Sequence, residues 1–225
     1  MTTLYSQGVV EHSIYQVSFS DTTEIDYGNY FEQQTSVDSL RSLYQNYHEF
    51  ALEVEKIQLK QYNPPIKIDG NIRIISLQNS DVVKLLPNDS TEEYGFAFEK
   101  TLLDGKYYLF RVQWFEGNNY LLLDADNGSK TYCIGKVIES PEKQFLVSYN
   151  CDIDAHYSGN GLQIFSYNKN NGLKEIWSHD NNQGVEKLKW ISENAFVVYN
   201  IEYKGENNEI ILFRHKKVTI NKSPN

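Results

Sequence analysis

The chain has little of several things, and each scarcity narrows the reading. Two cysteines in 225 residues, Cys133 and Cys151, cannot form a disulfide framework, and no CxxC or Cys/His pairing suggests structural zinc. The two lie on what read as consecutive strands, so they are either reduced thiols or one bridge. Five prolines are few. No apolar run is long enough for a membrane-spanning helix. The first residues carry neither a basic stretch nor an apolar core of the secretory kind. This predicts a cytoplasmic chain if that N-terminus is native, and a periplasmic or extracellular one if a leader has been removed. P-loop, GxGxxG, HExxH and GxSxG patterns are missing, so no cofactor is expected.

What is present is charge of one sign and many aromatics. The formal charge is −9, which repels phosphate backbones and makes a basic protein a more natural partner than nucleic acid. Aromatics make up 14%, including 17 Tyr and 11 Phe, a composition that favours strands and fills a core.

One amphipathic helix is expected over 36–62. Leu40, Leu43, Tyr44, Tyr47, Phe50, Ala51, Val54 and Ile57 recur at three and four, and Pro64-Pro65 ends the pattern. Before it, Gly8–Val10 and Ile14–Phe19 read as short strands. The organisation expected is an N-terminal part, 1–65, packed through its helix on a β-repeat part, 66–225.

The repeat centres on Tyr120–Ile134, a strand, a turn at Asn127-Gly128 and a second strand. The Asn-Gly pair predicts a type I′ hairpin. The layout returns around Asn171-Gly172, 44 positions on, and more loosely as a hairpin of Ile210–Phe213 and Val218–Ile220. Three successive copies thus begin at Tyr107, Phe145 and Ala195. A period of about 45 residues with three or four short strands is the spacing of propeller blades. The segment Leu121–Lys130, a hydrophobic strand running into Asp-x-x-x-Gly, resembles β-propeller repeats. The resemblance covers 93–220, concerns fold only, and departs from WD40 repeats in lacking Gly-His and Trp-Asp. The fold class expected is mainly β, with antiparallel propeller-like repeats in an open or partial propeller, or a β-sandwich.

Candidate sites are few. On an extended backbone Asp152, Asp154 and His156 project to one side, a set that could hold a divalent cation or act as an acid/base pair, against the plainer reading of a solvated hairpin loop. Asp124–Gly128 has the wrong spacing for a calcium loop, and no GxSxG nucleophile elbow accompanies His179-Asp180. Trp114, Tyr157, Trp177 and Trp190 fall at strand ends or in loops, as binding aromatics do, or else fill the core. The function expected is non-enzymatic protein binding, possible forms being a stoichiometric inhibitor or bacterial immunity protein that neutralises a basic toxin. The alternatives are a hydrolase or carbohydrate-active protein using Asp152, Asp154 and His156, and a structural subunit that pairs strand edges in an assembly.

Overall fold

The computed structural model describes residues 14–23, 43, 47–87, 93–114, 117–153, 157–179, 183–203 and 210–223. These form strands and one helix. In chain order they are β1 (Tyr15–Asp21), α1 (Tyr47–Tyr62), β2 (Ile66–Asp69), β3 (Ile72–Ser76), β4 (Val82–Leu85), β5 (Glu93–Leu102), β6 (Tyr107–Trp114) and β7 (Asn118–Asp124). There follow β8 (Lys130–Cys133), β9 (Lys136–Glu139), β10 (Phe145–Asn150), β11 (Gly161–Asn168), β12 (Gly172–His179), β13 (Gln183–Trp190), β14 (Ala195–Tyr203) and β15 (Ile210–Lys222). The chain is therefore mainly β, with antiparallel sheets and a single described helix, and divides into two compact units, Met1–Tyr27 with Ile138–Asn225, and Gly28–Val137.

In the second unit a three-stranded sheet runs β2-β3-β4 and a four-stranded sheet runs β5-β6-β7-β8. They share a core of Ile75, Phe98, Phe110, Leu121 and Leu123, against which Leu59 and Tyr62 of α1 pack. The helix buries Phe50, Ala51 and Val54, as its apolar stripe predicts, but Leu43 sits in a turn and is 71% exposed. The rest of 36–46 lies outside the described residues, as does the strand expected at Gly8–Val10.

The stripe also carries a carboxylate. Glu55 is one turn beyond Ala51 and is 1% exposed. It forms a buried ion pair with Arg73 of β3, whose Nε donates to Glu55 Oε1 at 3.0 Å. The same oxygen accepts the Phe98 backbone N–H of β5 at 2.8 Å. One helical side chain thus ties α1 to both sheets and satisfies a donor at the β5 bulge, where the register shifts between Phe98 and Lys100.

In the first unit one sheet runs β12-β11-β10-β9 and the other β1-β15-β14-β13. The hairpin expected between Ile210 and Ile220 is instead one continuous strand, β15. Arg214-His-Lys-Lys217 contains no Gly, Pro or Asn to turn the chain, so the strand runs on. The outer place of that sheet is taken by β1, paired antiparallel from Tyr15↔Lys222 to Asp21↔Lys216.

The Asn-Gly turns also differ from expectation. Gly128 and Gly172 have positive φ, at 75° and 71°, but Asn127 and Asn171 do not, so neither turn is type I′. The cause is an Asx residue four positions before each glycine. Asp124 Oδ1 accepts the Asp126 N–H at 2.8 Å, and Asn168 Oδ1 accepts the Asn170 N–H at 2.9 Å. Each side chain caps a wider loop that closes on the glycine.

Candidate interaction surface

Most charged clusters among the described residues are engaged within the fold. Lys106 Nζ donates to Asp124 Oδ1 and Asp126 Oδ2, both at 2.7 Å. Burial alone would raise the Asp124 carboxyl, but the Lys106 ammonium and the Asp126 and Asn127 N–H groups outweigh it and hold it below the usual range. Burial would likewise lower Lys106, and its two carboxylate partners raise it instead. On the neighbouring strands Arg111 Nε donates to Glu99 Oε1 at 2.7 Å and Nη2 to the Tyr120 hydroxyl at 3.1 Å. Burial pushes the Tyr120 hydroxyl up. These groups hold sheets together.

Asp152 is used in the same way. Its Oδ2 accepts the Ser158 N–H at 2.6 Å, and its own backbone N–H donates to Asn160 Oδ1. Asn150 Nδ2 donates to the Gly159 carbonyl at 2.6 Å. The two stems of the β10–β11 loop are therefore laced together by side-chain to backbone bonds. Asp154 and His156, the other members of the expected cluster, lie outside the described residues, as does Asp180. Among the described residues no group of three His, Cys, Asp or Glu is placed to hold a metal ion. Cys133 is buried and Cys151 half-buried, and the two are not joined by a disulfide.

The expected binding aromatics divide between the units. Trp114, at the end of β6, is half-buried and packs on the core of its unit. Trp177 on β12 is half-buried, with its ring 5.0 Å from that of Phe19 and 5.8 Å from that of His179. Trp190, at the end of β13, meets the edge of Phe196 at 4.9 Å. Tyr157 differs, since it is 49% exposed and stands on the laced loop just before Ser158. Sequence reasoning missed the loop's lacing, although the Asn150, Asp152, Asn160 spacing is the kind that caps loop backbone.

No helix among the described residues is long and apolar enough to cross a membrane. No protein-family model matches the chain, and no curated protein matches it. Among solved structures, one similar chain is a putative 6-phosphogluconolactonase from Bacteroides uniformis, at 12% identity and TM-score 0.29, covering 64% of this chain and 50% of that one. Another is TolB from Acinetobacter baumannii, at 14% identity and TM-score 0.23, covering 70% of this chain and 43% of that one. The chain thus spans half the length, or less, of these two structures.

Proposed function

We propose that this chain is a non-enzymatic protein-binding protein built on propeller-like sheets, acting as a stoichiometric inhibitor of a basic partner in the manner of an immunity protein toward a toxin. The observation that carries the reading is Tyr157. A large aromatic side chain, 49% exposed, stands on a loop whose stems are fixed by Asp152, Asn150 and Asn160. A tyrosine next to anchored backbone offers a large contact area with few rotatable bonds to immobilise on binding, as hot-spot residues do. The net charge of −9 supports a basic partner by raising its association rate.

The test is capture from the source cell's lysate on the immobilised protein at moderate salt, read by mass spectrometry. The expected result is one basic protein in equal amount, whose recovery falls when Tyr157 is replaced by Ala. Recovery of no protein in stoichiometric amount overturns the reading.

A further inference from the structure

The three-stranded sheet β2-β3-β4 carries apolar residues on both faces. Alternation puts Arg73 and Ile75 of β3 on the core side, where Ile75 joins Leu85 and Phe98. Ile72 and Ile74 therefore stand on the outer face, where a sheet with one wet side would carry polar residues. Register places Lys67 of β2, Ile74 of β3 and Lys84 of β4 directly opposite one another. The rank to one side is Asp69 and Ile72, and the rank to the other is Ser76 and Val82. The outer face is thus an isoleucine column with a lysine on each flank.

The face is accessible. Lys67, Asp69, Ser76, Val82 and Lys84 are exposed, Val82 at 56%, and Ile72 and Ile74 are half-buried between them. Among the described residues, neither lysine ammonium nor the Asp69 carboxylate has a hydrogen-bond or ion-pair partner. The two lysines stand two strand spacings apart, about 10 Å across the sheet.

We propose that this face docks an amphipathic, acidic helix of a partner protein. The inference goes beyond the function proposed above, because it concerns another surface and the opposite charge. Spacing selects a helix. With its side chains a helix is about 10–12 Å wide, so one lying along β3 meets both lysines with glutamates on its two flanks. Residues four apart on that helix rise about 6 Å, close to the roughly 7 Å between same-face positions of a strand such as Ile72 and Ile74. An extended segment carries alternate carboxylates only about 7 Å apart, which is short of the span between the lysines. Asp69, at one corner of the face, favours the positively polarised N-terminus of the helix at that end. Nucleic acid fits less well, because the isoleucine column offers nothing to a phosphate and a chain of −9 repels it.

The test uses the full chain and a fluorescent helical peptide of about 22 residues, with leucine along one face, glutamate on both flanks and alanine elsewhere. Binding is read by anisotropy and is expected to weaken as salt rises. K67E/K84E should lose about tenfold or more in affinity, and K67Q/K84Q about threefold or more. Ile74→Thr, which keeps β-propensity while making the column polar, should also lose about threefold or more. K169E/K174E changes the net charge as much as the first pair, at exposed positions of the other unit, and should stay within about twofold. Circular dichroism confirms that each variant is folded. Absence of binding by the helical peptide, an equal loss in the control pair, or equal or tighter binding of an extended peptide of the same composition with glutamate and leucine alternating overturns the proposal.

Discussion

Asp124 shows how one side chain does two jobs. It accepts N–H groups that close the β7–β8 loop, and it pairs with Lys106 while 3% exposed. Asp124→Asn keeps the shape and loses the charge, so it should destabilise by about 1–2 kcal/mol at neutral pH. The folded carboxyl lies below its unfolded value. Its contribution is therefore complete above about pH 4 and is lost as pH falls through the folded value. Urea unfolding should show the variant weaker at pH 7 and the gap closing toward about pH 2. A gap that persists in acid contradicts this account. Lys106 acts at the other end, because its folded value is raised. Its contribution is complete below about pH 10.4 and is lost as pH rises beyond that.

Gly128 is the second residue on which the same loop depends. Its φ is +75°, and a Cβ there would fall 2.7 Å from Val83 Cγ2 and 2.9 Å from Leu77 Cδ1. Strain and overlap act together, so Gly128→Ala should lower stability by about 1–3 kcal/mol in the same assay. A neutral result would mean that the loop yields. The importance of this glycine could be read from Asp-x-x-x-Gly. The type I′ turn inferred from Asn-Gly was wrong because that inference ignored the capping carboxylate one turn earlier.

The helix is the element where sequence reading went furthest and still missed the decisive residue. Phe50, Ala51 and Val54 were visible by periodicity. Glu55 was not, because a hydrophobic pattern carries no signal for a carboxylate that belongs inside. Its partner, Arg73, alternates with apolar neighbours in β3 and is 2% exposed. Removing one member of such a pair leaves a buried charge, so Glu55→Gln should cost about 3–5 kcal/mol. Replacing both, as Glu55→Leu with Arg73→Met, should cost less than the sum of the two single changes, measured as a double-mutant cycle in denaturant. Strict additivity would show that the pair is not coupled. The strands were read with similar unevenness. Alternation and turn residues located β1 and β6 to β8. The continuity of β15 and its pairing with β1 depend on contacts 201 residues apart, such as Ser18 Oγ donating to the Thr219 carbonyl, and local pattern cannot reveal those.

At the scale of the whole molecule, average charge hid its distribution. A net charge of −9 pointed to a basic partner, yet one sheet face carries two exposed lysines beside an apolar column. Lys67 and Lys84 are visible in the sequence, but only the pairing of β2, β3 and β4 shows that they share a face. Of the candidate metal cluster only Asp152 lies among the described residues, and its carboxylate accepts the Ser158 N–H. The proposed binding of a protein partner through Tyr157 on the β10–β11 loop can be checked on the molecule itself. The most direct measurement is a calorimetric titration of the captured partner into the intact protein and into Tyr157→Ala. One partner per chain and at least about tenfold weaker binding for the variant are expected, the usual scale of a hot-spot residue. Unchanged affinity in the variant, or heat that saturates at no defined ratio, would contradict that reading.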